Sequence, residues 1–332
     1  METRKLQVSG HSTYILSLPK NWVRANTISK GDRVRLKLQP DGTILLLPSK
    51  TEKQRNEISV EVNEADDSLF RKFMGLYLAG YQVINFNLKG DFNGSEKRTI
   101  RTMVQKISGL EILDETSESM TIQDLFDSSL FSPEKAIRRM HLLTKTMLKD
   151  SVESFLSGDE DLKKDVEMRD DDVDLINWLI NRQYNLILQD ISLSEKLKIS
   201  PQRGLGFLLM AKAMERIGDH ALKISKIEEI HNKGDKQLEE DIRYLTDRMV
   251  GNIEDAVSSF FFKNFDDANV VIERVRMVQR EIQDLIEKDV MNSEGDTSSN
   301  IAHAFLLDSL KCVCSYTIDI AETSINNQYV EE

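Results

Sequence analysis

Apolar and polar positions change rhythm twice along the chain. Between residues 4 and 48 the apolar runs are short. Val34, Leu36 and Leu38 alternate with Arg33, Arg35 and Lys37, the period of two that gives a strand one apolar and one cationic face. This stretch predicts strands over 4–8 and 13–18 and a helix over 19–25 with Pro19 in its first turn. A hairpin then pairs 34–38 with 43–47 across a two-residue Asp41-Gly42 turn, and Pro48 ends the run. From about 57 to 127, strand and helix patterns alternate: ISVEV, a helix over 68–81, QVINFNL, a helix over 95–108, LEILDE and SMTIQDL. This is a small α/β layer, in which Gly75 and Gly80 read as helix packing or a helix stop.

Beyond Ser132-Pro133-Glu134, a serine cap followed by proline and an acid, every segment has helical periodicity. The expected helices are 133–157, 159–190, 201–231, 236–263, 266–292 and 299–328, punctuated by Gly158, Ser200-Pro201, Gly234-Asp235 and SEGDTSS. The last six fall into two sets of three that look alike at a shift of roughly one hundred positions. Leu143-Thr144 parallels Leu245-Thr246, ESFLSGDEDL parallels SSFFFKNFDD, and Asp219-His220-Ala221 parallels Asp319-Ile320-Ala321. Two three-helix bundles, each burying the apolar stripes of its own helices, account for this order. The expected fold is multidomain: a β-rich head over 1–50, an α/β connector over 56–130, and an all-α body with bundles over 131–232 and 235–330.

Charge distribution adds what the hydrophobic pattern omits. Residues 1–50 hold nine Lys and Arg against three Asp and Glu, whereas the whole chain has a formal net charge of −12. A basic head on an acidic body suits a module that meets a polyanion. A head of fewer than about 50 residues, without disulfide or metal, rarely buries enough surface alone, so a homodimer or higher homo-oligomer is expected. No run approaches the roughly 20 apolar residues that cross a bilayer, and METRKLQVSGHSTY lacks the apolar core of a signal peptide. The expectation is a cytoplasmic protein with no membrane insertion. Cys312 and Cys314, one residue apart in an apolar pattern, read as small buried side chains.

The sharpest chemistry lies in AKAMERIGDHALKIS, where Glu215 and Asp219 are four apart and share one helix face. Asp170 and Asp174 repeat that spacing in VEMRDDDVDLINWLI, with Asp171 beside them. Carboxylates from two helices form an oxygen-rich set that suits a hard or borderline cation. An isolated E-x-x-x-D reads instead as a solvated acidic face with Glu215 bonded to Lys212 or Arg216. Gly218 costs about 1 kcal/mol relative to alanine within a helix, which points to close packing or access to a site. No phosphate-cradling glycine loop, HExxH motif or nucleophile-base constellation occurs, so an enzyme is not expected.

Two resemblances sharpen these readings. RKLQVSGHSTYILSLPKNWVRANTISKGDRVRLKLQPDGTILLLP resembles the SpoVT/AbrB swapped-hairpin family, which forms interleaved dimers and commonly binds DNA. The resemblance implies DNA contacts at Arg4, Lys5, Lys20 and Arg24, to which the cationic strand face adds Arg33, Arg35 and Lys37; His11 stands where family members often have a basic residue. MERIGDHALKI resembles the signature of the PhoU family, pairs of three-helix bundles that bind iron, zinc or other metals at acidic motifs. It implies a site for iron, zinc or magnesium at Asp170, Asp171, Asp174, Glu215 and Asp219. The second copy has Asp319, but Ser315 replaces the glutamate, and only Glu281 and Asp284 stand in the earlier helix. PhoU-like proteins restrain phosphate uptake through a phosphate ABC transporter ATPase or a sensor kinase. The fusion therefore implies a phosphate-responsive, negative regulator acting on DNA; the alternative is a non-DNA-binding adaptor of the transporter.

Overall fold

The period-two stretches of the head become two hairpins. In the computed structural model, which describes residues 2–39, 41–48, 56–63, 68–89, 95–227, 236–290 and 297–330, the chain divides into two units, Met1–Arg55 and Asn56–Glu332. In the first unit β1 (Gln7–Ser9) pairs antiparallel with β2 (Thr13–Ile15), and β3 (Val34–Leu38) pairs antiparallel with β4 (Ile44–Pro48). Helix α1 (Lys20–Ala25) lies between them, with Pro19 at its N-cap. The second hairpin differs from the expected two-residue turn. Leu38 stands opposite Ile44, and Gln39 N–H donates to the Thr43 carbonyl at 2.8 Å, so the Asp41-Gly42 pair sits inside a longer loop. Asp41 stabilises it by accepting from Thr43 N–H and Oγ1–H at 2.9 and 2.7 Å. Pro48 is the last residue of its strand, opposite Val34.

No described residue of this head is buried. Leu36 and Leu38, the apolar face of β3, are 69% and 77% exposed, and Tyr14 is 71% exposed. The single chain thus forms the hairpins without a core to hold them.

The second unit begins with a mixed four-stranded sheet in the order β5 (Glu57–Asn63), β6 (Val83–Lys89), β8 (Ser119–Asp124), β7 (Leu110–Glu115). Strands β5 and β6 run parallel and the other pairs antiparallel. Helices α2 (Leu69–Leu78) and α3 (Ser95–Lys106) cover one face, burying Phe73, Tyr77, Ile100 and Met103 against Val62, Ile84, Phe86, Met120 and Ile122. Gly80 ends α2 at φ +97°, a conformation that favours glycine, and a Cβ there would come within 2.9 Å of Leu186. Gly75 has open space around it, so close packing does not explain that residue.

The body contains α4 (Pro133–Ser157), α5 (Glu160–Gln189), α6 (Ile191–Leu197), α7 (Pro201–Ser225), α8 (Lys236–Phe262), α9 (Phe265–Leu285) and α10 (Thr297–Asn327). Ser132 and Ser200 cap α4 and α7 by accepting from Lys135 and Arg203 N–H, each ahead of a proline. Such caps contribute about 1 kcal/mol each. The short α6 was hidden in the expected loop after 190. Helix α9 stops at Leu285 and continues as a π-helical turn, Ile286–Val290, rather than running on as α-helix. Helices α4, α5 and α7 form one bundle and α8, α9 and α10 the other, but α7 also packs on α10 and α4 on α8. The apolar stripes consequently merge into one core across both bundles instead of closing two separate ones. Helix α10 is long and apolar enough to cross a membrane by length and composition; here Leu306, Leu307, Leu310, Val313 and Ile320 are wholly buried among its neighbours. Cys314 lies in that core, with its thiol pushed up to about 12 by burial, while Cys312 is half-buried.

The α/β layer is fastened to α5 by polar side chains. Arg182, 3% exposed, pairs with Asp124 at 2.7 Å, donates to the Tyr77 and Tyr81 carbonyls, and lies over the Tyr77 ring. Asn185 and Gln189 donate to the Leu78 and Ala79 carbonyls, both at 2.8 Å. Three side chains of one helix thereby supply donors to carbonyls at and just past the end of another, where helical donors run out.

Candidate functional site

Helices α5 and α7 pack side by side, and their four-residue spacings bring two acid pairs to one seam. Burial, then the charge of Asp170, then Glu215 and Asp219 push the Asp174 carboxyl up to about 7. Burial and the Asp219 charge push Asp170 up to about 6, with Lys226 opposing. Asp219 is likewise raised by burial and by Glu215. Each acid is therefore held against its neighbours' charge, the condition under which a bound cation would be most welcome. Glu215 is shared with α7 cations: Oε1 accepts from Lys212 Nζ at 2.7 Å, and Oε2 lies 3.7 Å from Arg216 Nε. That Oε2 is buried and accepts no hydrogen bond among the described residues.

Asp171 takes a different course. One position round the helix from Asp170, it reaches α3 and pairs with Lys106 Nζ at 3.0 Å. Sequence reasoning missed Lys106 and Lys226 as electrostatic neighbours, because neither lies in an acidic motif. Gly218 leaves its backbone bare at the seam: a Cβ there would sit 3.5 Å from Val173 Cγ1 and 3.7 Å from Asp170 Oδ1, ordinary contact distances. His220 stacks its ring near that of Tyr316, and its buried Nδ1 has no hydrogen-bond partner among the described residues.

Oxygen donors on two helices, with one orphaned carboxylate oxygen, fit a hard or borderline cation in kind. Their positions are not those of a closed cage: among the described residues no three His, Cys, Asp or Glu side chains converge as metal ligands. The matching face of the second bundle is differently neutralised. Arg248 pairs with Glu281, Lys311 donates to Gln283 at 2.6 Å, and Gln279 donates to Ser315 at 3.5 Å.

In the head, Lys20 and Arg24 are exposed and share a face of α1, and Lys5 and Arg35 are also exposed. Arg4 pairs with Glu2. Arg35 and Lys37 follow one face of β3, opposite to that of Leu36 and Leu38, and Arg33 immediately precedes the strand.

The PhoU domain model matches residues 137–227, a stretch from α4 through α7 that includes both helices of the acid seam. The model of MazE, described as antidote-toxin recognition and bacterial antitoxin, matches residues 7–54. Among solved structures, PhoU from Pseudomonas aeruginosa is similar at 17% identity and a TM-score of 0.42, covering 60% of this chain and 96% of that one. A search of curated proteins finds no match. The chain thus carries a region similar to the PhoU domain within its helical body and an N-terminal region similar to the MazE antitoxin.

Proposed function

We propose that the chain is a negative regulator of phosphate uptake that binds DNA through its head and reads a phosphate-linked state through its body. The carrying observation is the union in one chain of an exposed cationic hairpin unit and a PhoU domain, a family tied to phosphate homeostasis. The head, none of whose described residues is buried, is proposed to complete its core by pairing with a second copy, which doubles the cationic surface that phosphates of DNA would meet. Arg4, Lys5, Lys20, Arg24, Arg33, Arg35 and Lys37 are the proposed contacts. Asp170, Asp174, Glu215 and Asp219 are the proposed ligands of iron, zinc or magnesium, their side chains turning toward one another as the cation binds, and Asp171 would join them on leaving Lys106. The cation would relieve carboxylate repulsion and stiffen the α5–α7 seam; no catalytic step is assigned to it. A cytoplasmic location belongs to the same reading.

The test is binding of the protein's own promoter and of phosphate-transport promoter fragments, with and without phosphate and metal. The regulator binds and loses affinity, with a smaller salt slope, when Arg4, Lys5, Lys20 and Arg24 become alanine. Absence of binding under every condition removes this model. A second reading draws on the MazE match: the head pairs chains and contacts protein, and the body acts as an adaptor of a phosphate ABC transporter ATPase. Retention of that ATPase by the fourfold variant, without any DNA affinity in the parent, would favour it.

A further inference from the structure

Between the α/β layer and α5 lies an open cavity of about 480 Å³, a volume in the range of small-molecule sites. Phe70 of α2, Met103 of α3 and Trp178 of α5 form its apolar walls. Phe70 and Trp178 meet edge to face, with centroids 6.2 Å apart, and Phe70 keeps 43% of its surface exposed although its helix neighbours Phe73 and Tyr77 are buried. The polar lining comes from α3 and includes Arg98, Thr102 and Lys106; among the described residues no carboxylate lines the cavity. Arg98 has no ion pair among the described residues, whereas Lys106 is shared with Asp171.

We propose that this cavity binds a mononucleotide, its base beside Phe70 and Trp178 and its phosphate on the α3 cations. Arg98, without an ion pair among the described residues, and Lys106, shared with Asp171, leave this wall net cationic and suit an anion, and paired aromatic side chains suit a planar ring. The α3 wall runs from Arg98 to Lys106, eight residues or about 12 Å along the helix, so the cavity has room for a phosphate and sugar beside a ring. The guanidinium of Arg98 offers the forked donors that phosphate oxygens accept from, and the Thr102 hydroxyl lies one turn away on the same wall. Through Lys106 the ligand would also reach Asp171 and the acid seam. The inference does not require the DNA-binding or metal readings.

The experiment uses the full chain carrying Trp22→Phe, so that Trp178 is its one tryptophan. AMP, ADP and ATP are titrated by fluorescence and by calorimetry, alongside adenosine and inorganic phosphate. A saturable signal is expected for at least one nucleotide, weakened tenfold or more by Arg98→Glu and by Lys106→Ala. Both of these side chains are exposed, so the variants should keep the parent's circular dichroism and melting midpoint. No saturable signal at millimolar nucleotide, or equal affinity in the Arg98→Glu chain, overturns the proposal. So does inorganic phosphate binding as tightly as AMP, because the aromatic wall would then contribute nothing.

Discussion

The carboxylate of Asp170 lies against the bare backbone of Gly218, where a methyl group would stand 3.7 Å from Oδ1. Because the nearest atoms leave ordinary contact distance, Gly218→Ala should fit without repacking. It should stabilise the chain by roughly 0.5–1 kcal/mol, the helix-propensity gain of alanine over glycine. Chemical denaturation of parent and variant checks this. A loss of stability would mean that the space beside Asp170 has to stay open.

The acid seam predicts a pH dependence of definite sign. Asp170 and Asp174 bind their protons more tightly folded than unfolded, so their contribution is complete below the ordinary carboxyl value near 3.8 and is lost as pH rises through about 6 and 7. In metal-free buffer the melting midpoint should fall between pH 5 and pH 8, and Asp174→Asn should flatten that fall. Adding zinc or magnesium at pH 8 should restore the parent more than the variant. A parent equally stable at both pH values would show that the repulsion is not felt.

Arg182 and Asp124 are both nearly inaccessible, at 4% and 5% side-chain exposure. Arg182→Ala strands the buried Asp124 carboxylate and removes a donor from the Tyr77 and Tyr81 carbonyls, at a cost of about 3–5 kcal/mol. By contrast, breaking the exposed Lys149–Asp247 pair between α4 and α8 should change stability by no more than about 1 kcal/mol. Paired denaturation curves separate the two; similar costs would contradict the burial argument.

The exposed apolar face of β3 predicts association through the head. Replacing Leu36 and Leu38 together by glutamate should lower the mass measured by analytical ultracentrifugation toward that of one chain, while the helical signal of the body persists. An unchanged mass would place the association elsewhere.

Much of this architecture was legible in residue order because it rests on local rules. Ser132-Pro133 and Ser200-Pro201 announce helix starts by supplying a cap and a preset φ, and alternation in Val34–Leu38 marks a strand whatever it packs against. The acid pairs were visible for the same reason, since a spacing of four fixes a shared face. Partners across the chain were not. Lys106 meets Asp171 and Arg182 meets Asp124 over separations of 65 and 58 residues, and no periodicity encodes those encounters. The merged core was hidden too, because a stripe facing a second bundle has the same spacing as one facing its own. The loop around Asp41-Gly42 outgrew its expected two residues because Gln39 and Thr43 pair beyond the end of the strands.

Helix α5 carries the acids at 170 and 174 and, two turns further on, the side chains that grip the end of α2. At 30 residues it is a rod of about 45 Å with no proline or glycine to bend it. The acid seam and the grip on the α/β layer are therefore carried on one unbroken helix, which alone sets the spacing between them.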